Sequence, residues 1–274
     1  MLELEHRFRV VDVHARLNPD DASAVRGRAI SPEKLEREMH QAGVIRSVVF
    51  PDSSPGGGYL QANNAVARLS VERPFVAFAR IDGPCDAGDS TGARLRNLTA
   101  SREKWHTSPE DVEQYAYDDR FRGFKLDPAA DGLPDEAVLD ELESVGLPVI
   151  VRGGESCPPE TIAETLLGRS FPVILSHFGG HPLNRDLMDE AIDLLDRYDG
   201  YYLDTCFVRY REQLERALLE HPDRVLFGSG APSAHPNVGV MEILTLDVSE
   251  DKMRRAFSKN ASRVIDAVAP ESER

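Results

Sequence analysis

The chain has 274 residues, 41% hydrophobic and 29% charged, with a formal net charge of −15. The length suits one (β/α)8 barrel, which typically takes about 250 residues. The acidic balance argues against nucleic-acid binding, which draws on basic surface, and no apolar run reaches the roughly 18 residues of a membrane span.

The N-terminal MLELEHRFRVVDV is charged and lacks the apolar core of a secretory leader. Cys85, Cys157 and Cys206 are too scattered for a disulfide framework or a paired-cysteine zinc site. These features predict a cytoplasmic protein with small-molecule partners.

Short β-branched runs alternate with amphipathic stretches along the chain. The spacing predicts strands at 8–14, 45–50, 74–81, 121–126, 147–152, 171–177, 200–205 and 223–228. Several are apolar at consecutive positions, as in a parallel sheet buried on both faces. Helices are predicted between them. The segment 31–43 opens with Ser31 and Pro32 and stops at Gly43; 63–73 follows strand two; 135–146 follows strand four and also stops at a glycine. Further helical segments follow strands five, six and seven, and 251–268 closes the chain. Loops are expected at 51–59 and 83–92, with some helix between Gly83 and Arg120. No linker divides the pattern. The reading is an α/β protein, a single (β/α)8 TIM-like barrel over residues 1–274.

Functional groups of such a barrel sit at the C-terminal strand ends. Strand one ends in Asp12, His14 and Arg16, spaced two apart, which on a regular strand puts all three on one face. Strand four carries Lys125 and then Asp127, strand five Arg152, and strand six His177 ahead of Phe-Gly-Gly-His181. Asp204 and Cys206 end strand seven, and Gly228-Ser-Gly230 ends strand eight with His235 beyond it.

These stretches resemble the amidohydrolase superfamily, in its amidohydrolase-related branch of decarboxylases, lactonases and hydrolases. Asp12-Val-His14-Ala-Arg16 resembles the family's D-x-H-x-H, Gly123-Phe-Lys125-Leu-Asp127-Pro its G-F-K-L-H-P, and Ile174-Leu-Ser-His177-Phe-Gly-Gly180 its x-x-x-x-H-x-G-G. Pro148-Val-Ile-Val-Arg152 stands for P-V-x-x-H, Arg224-Val-Leu-Phe-Gly-Ser-Gly230-Ala-Pro232 for R-x-x-F-G-S-D-x-P, and Asn260-Ala-Ser-Arg263 for N-A-x-R. The resemblance implies an enzyme, a hydrolase or lyase acting on a small molecule, and often a homo-oligomer.

In the family, two strand-one histidines, a strand-five histidine and a strand-eight aspartate commonly bind a divalent metal. Here the corresponding residues are His14, Arg16, Arg152 and Gly230, so only His14 remains of the four, with His177 on strand six. A guanidinium has no lone pair to give a metal. The expectation is therefore no metal centre and no cofactor, with Arg16, Arg152 and Lys125 binding an anionic, carboxylate-bearing substrate. His14 or His177 would act as base, with Asp12 sharing the proton or orienting Arg16.

Three other readings remain open. Asp12, Arg16 and Arg152 could form a structural ion-pair network in a non-catalytic, anion- or partner-binding protein. A zinc or manganese ion could be held by migrated ligands among Asp12, His14, His177, Asp204 and His235. Individual groups could also be structural: Cys206 as small buried filler, His181 packed near a helix start, His221 on the surface at the opposite barrel end.

Overall fold

A computed structural model describes residues 7–17, 24–25, 28–29, 31–53, 58–88 and 90–269. Among the described residues, eight parallel strands lie side by side in chain order: β1 (Val10–Arg16), β2 (Val44–Phe50), β3 (Phe75–Ile81), β4 (Phe121–Leu126), β5 (Val149–Gly154), β6 (Val173–His181), β7 (Tyr201–Asp204) and β8 (Val225–Leu226). The segment after β8 closes the ring onto β1. Val13 N–H donates to Phe227 C=O at 2.9 Å, Gly230 N–H to His14 C=O at 2.9 Å, and Arg16 N–H to Ala231 C=O at 2.8 Å. The result is a nearly closed TIM barrel, as the alternating pattern predicts.

Inward side chains such as Val11, Val48, Phe50, Phe78, Ile150 and Ile174 fill the barrel, and Val264, Ile265 and Val268 pack onto the same cluster. The outward faces of the strands meet the helices in a larger apolar layer. His14, Arg16, Lys125, Arg152 and His177 lie towards the C-terminal parts of their strands, while Asp12, Ser47 and Ser176 are buried further in.

Boundaries shift by a few residues from those predicted. β1 runs on to Arg16 and β6 to His181, so Arg16 and His181 belong to strands rather than to the loops after them. β8 shrinks to two residues. The helix predicted at 251–268 is broken into Glu250–Arg254, a wide turn at Arg255–Lys259 and Asn260–Val264. The reason is tertiary: the Ala256 carbonyl accepts from Phe227 N–H at 3.0 Å, so it is drawn from the helix towards the barrel. The long connection after β3 carries helices at Thr91–Asn97 and Pro109–Tyr117. Part of the loop expected at 51–59, residues 54–57, lies outside the described residues.

Candidate active site

A cavity of about 610 Å3 opens at the C-terminal strand ends. His14, Arg16, Lys125, Arg152 and His177 all line it, so the structure brings together five of the six residues singled out in the sequence. Asp12 is the exception.

Pairing between β1 and β2 steps from Asp12 opposite Ser47 to Ala15 opposite Val49, three residues against two. This irregularity breaks the alternation, so the expected single face of Asp12, His14 and Arg16 does not form. Asp12 is turned from the cavity into a buried nest of donors. It accepts from Ser229 N–H at 2.9 Å and Ser229 Oγ at 2.5 Å, from His14 N–H at 2.9 Å and from Ser47 Oγ at 3.3 Å. Burial pushes its carboxyl up to about 6, against the pull of these bonds. The pairing expected between Asp12 and Arg16 is also absent. Arg16 donates instead to Asp52 at 2.8 Å and to the Ser233 hydroxyl.

Asp204 organises the two histidines. Its Oδ2 accepts from His14 Nδ1 at 2.8 Å, while Oδ1 accepts from the backbone N–H groups of His177 at 3.1 Å and Cys206 at 2.9 Å. His177 Nδ1 donates to the Cys206 carbonyl at 2.8 Å. Both rings thus commit Nδ1 and keep Nε2 as the lone-pair atom. Their centroids are 5.2 Å apart. Burial, with His14 close by, brings His177 down to about 3. Burial also lowers His14, in spite of Asp204, which itself lies well below the usual carboxylate range because of the histidines and N–H donors around it. At neutral pH both imidazoles are neutral acceptors; the burial that keeps His177 uncharged also makes it the weaker base, whereas Asp204 supports proton uptake at His14.

The backbone supporting them is strained. His177, Phe178 and Gly179 have φ of +60°, +50° and +65°, and Phe207, stacked on His177 at 5.8 Å, has φ of +55°. Left-handed non-glycine residues cost about 1–3 kcal/mol each and concentrate at functional sites.

Positive groups form the opposite wall. Lys125 is 3% exposed, and its Nζ has no hydrogen-bond partner. The ammonium lies 5.2 Å from the Phe50 ring centroid. Burial lowers it to about 8 even though Asp127 and Asp204 favour the charged form. Arg152 donates to Asp127 at 3.0 Å and to His181, whose Nε2 is 2.9 Å away. Asp127 also accepts from Arg80 at 3.4 Å, and Arg80 is tied to Asp131 at 2.7 Å. The arginines therefore do enter an ion-pair network, but Arg16 and Arg152 remain partly exposed in the cavity while Arg80 is buried beneath it.

His181, expected to pack near a helix start, instead lines the cavity beside Arg152 and His177. His235 caps Pro236–Leu244, accepting from Asn237 N–H at 3.1 Å, and pairs with Gln41 at 3.0 Å. His221 ends the helix before β8, at the other end of the barrel. Asp204 was visible as a strand-end acid, but nothing in its spacing ties it to His14, 190 residues away.

His14, His177 and Cys206 offer ligand atoms within 4.8 Å of one another, a spacing that could hold a metal ion. Burial raises the Cys206 thiol well above its ordinary value, so binding there would have to drive off its proton. Both oxygens of Asp12 and of Asp204 are already engaged. At position 230 the glycine has φ of +73°, and an added Cβ would meet Phe207 at 2.7 Å and Cys206 Sγ at 2.8 Å. The convergent group found among the described residues, His14, His177 and Cys206, offers nitrogen and sulfur donors, which suit zinc better than manganese, and three ligands.

Residues 11–266 match the amidohydrolase family model. None of the curated proteins matches the chain. Among solved structures it is similar to an uncharacterized TIM-barrel protein from Bordetella bronchiseptica, with 19% identity, TM-score 0.66, and coverage of 93% of this chain and 98% of that one. It is also similar to a dihydroxybenzoic acid decarboxylase from Polaromonas sp., with bound manganese and the inhibitor 2-nitroresorcinol. There the identity is 13%, the TM-score 0.63, and the coverage 97% and 99%. A probable 2-pyrone-4,6-dicarboxylic acid hydrolase from Acinetobacter baumannii, with citric acid bound, gives 12% identity, TM-score 0.60, and coverage of 93% and 98%.

Proposed function

The chain belongs to the amidohydrolase family, and on that premise we propose that it is an enzyme, a hydrolase or lyase acting on a small carboxylate-bearing substrate without the family's divalent metal. The observation that carries this reading is the replacement of metal-ligand positions by cations that face the cavity. Arg16 and Arg152 reach it with donors to spare, and Lys125 adds a buried positive group with no hydrogen-bond partner. Two guanidiniums carry the formal charge of a divalent ion and add directional donors. A substrate carboxylate held there would lie against the neutral Nε2 atoms of His14 and His177, the candidate general bases. Asp12 acts as a positioning residue, through the backbone of His14 and Ser229.

The solved relatives support the substrate class: one is a decarboxylase and another a probable hydrolase of a dicarboxylic acid, with citric acid bound. The test is thermal melting with citrate and 2,6-dihydroxybenzoate. A rise in melting temperature that is lost in both Arg16→Ala and Arg152→Ala supports the reading; no rise, or one indifferent to both variants, overturns it.

A second reading, a zinc ion on His14, His177 and Cys206, is favoured by their convergence and by the acceptors that fix both Nδ1 atoms. It requires the buried Cys206 thiol to lose its proton and a dication to sit in a cavity also lined by Arg16, Arg152 and Lys125.

A further inference from the structure

Lys125 is not explained by carboxylate binding alone. An ammonium that only held an anion would be expected to pair with the carboxylates nearest it. Asp127 gives its Oδ2 to Arg152 and Arg80, and its Oδ1 has no partner. Asp204 gives both oxygens to His14 and to backbone N–H groups. Lys125 thus sits among charged groups, with Asp127, Asp204, Arg80 and Arg152 around it, and bonds to none of them. A solvated lysine is almost wholly protonated near neutral pH, whereas burial without partners, by lowering Lys125 to about 8, leaves a cation that gives up its proton readily and holds a minor share of free amine at neutral pH. The free amine is a nucleophile. Lys125 lines the cavity, so a change of rotamer would be needed to present its buried Nζ there, and His14 and His177, two neutral acceptors, line the same cavity.

We propose that Lys125 forms an iminium with the ketone of a 2-oxo acid whose carboxylate is held by Arg16 and Arg152, and that the site carries out aldolase-type carbon–carbon cleavage. The inference rests on the carboxylate site proposed above and names the chemistry performed there. The Lys125 amine adds to the ketone carbon. The carbonyl oxygen takes up one proton from the nitrogen and one from solvent and leaves as water, which gives the protonated iminium. Nε2 of His14 or His177 then takes the proton of a hydroxyl two carbons from the iminium carbon. The bond between the intervening carbon and the hydroxyl-bearing carbon breaks. Its electron pair flows to the iminium nitrogen and leaves an enamine, and the hydroxyl-bearing carbon departs as an aldehyde. The imidazolium returns its proton to the enamine carbon, and water hydrolyses the resulting iminium to release the shorter 2-oxo acid and the free lysine. No oxidant or reductant is consumed. The carboxylate stays anchored throughout, and anchoring suits cleavage of this bond better than loss of the carboxylate itself.

The test uses the full chain with pyruvate, the smallest 2-oxo acid, and sodium cyanoborohydride, which reduces an iminium to a stable N-carboxyethyl lysine. The chain has five lysines, Lys34, Lys104, Lys125, Lys252 and Lys259, so peptide mapping assigns every adduct. The expected result is modification at Lys125 that exceeds each other lysine by about tenfold or more near neutral pH. It should be accompanied by protein-dependent exchange of pyruvate methyl protons in D2O, lost in Lys125→Arg. Adducts spread evenly over the five lysines, or sparing Lys125, overturn the proposal. Melting with succinate, a dicarboxylate without a ketone, runs in parallel. Stabilisation by succinate without trapping at Lys125 leaves the carboxylate site standing and removes the imine chemistry. Trapping without stabilisation keeps the nucleophile and removes the arginine clamp, and failure of both removes both.

Discussion

His14 and Asp204 join the first strand to the seventh through one bond of 2.8 Å from Nδ1 to Oδ2. The same carboxylate holds the backbone of His177, so one buried acid fixes the tautomer of one histidine and the position of the other. Each ring keeps Nε2 directed away from its anchor.

Asp204→Asn replaces a fully engaged carboxylate with a group that can accept at only one atom. A lost hydrogen bond to a charged group costs about 1.5–3 kcal/mol. Denaturant unfolding of the variant is expected to show a loss of that size, with His14 ring-nitrogen NMR signals shifting as the Nδ1 proton loses its acceptor. An unchanged His14 spectrum would mean that Asp204 does not set the tautomer.

Lys125→Met is expected to stabilise the protein at neutral pH by about 1–3 kcal/mol, since it replaces an unpartnered buried cation with an apolar chain of similar length. The pH dependence has a definite sign. Folding lowers the lysine from 10.5 to about 8, so between those values the unfolded chain binds a proton that the folded chain has released. Stability from this group rises as pH climbs from about 8 to about 10.5. The gain from Lys125→Met is therefore full below that window and fades through it. A gain that does not change with pH would contradict the burial of a charged group.

Arg152→Ala and Arg80→Ala should separate binding from stability. Asp127 keeps Arg80 when Arg152 is removed, so Arg152→Ala is expected to cost about 1 kcal/mol of stability and about ten- to a hundredfold in carboxylate affinity. Arg80→Ala strips Asp131 of a buried partner at 2.7 Å, and breaking such a pair costs about 3–5 kcal/mol. Titration calorimetry and denaturant unfolding measure the two effects. Equal stability losses would place Arg152 in the structural network instead of in the ligand site.

The barrel and most of its mouth were legible in the sequence because both rest on local rules. β-branched runs alternate with capped helices, and polar residues cluster where strands end. Lys125, Arg152 and His177 could be placed by counting along a regular strand. Asp12 could not, because the step in pairing between Asp12 and Ala15 depends on how β1 meets its neighbours and leaves no mark in VVDVHAR. The same holds for Asp204, whose partner is set by barrel closure, and for His181, which reaches the cavity because β6 runs four residues past its predicted end. The divided C-terminal helix is likewise a tertiary effect, set by the Phe227 N–H taking the Ala256 carbonyl.

Gly230→Asp, which restores the family's acid, is expected to destabilise the protein and not to create a metal site. The position has φ of +73°, and the room for a side chain is taken by Phe207 and Cys206. Strain of that kind costs about 1–3 kcal/mol, with overpacking adding a similar amount. A variant that melts at the parental temperature and gains metal would show that the pocket can reopen.

The most direct measurement is elemental analysis of purified, tag-free protein before and after incubation with excess zinc and manganese. An arginine-lined carboxylate site is expected to retain well under one ion per chain under both conditions, with no change in His14→Ala. About one zinc per chain, lost in both His14→Ala and Cys206→Ala, would contradict it and assign the site to a metal held by His14, His177 and Cys206.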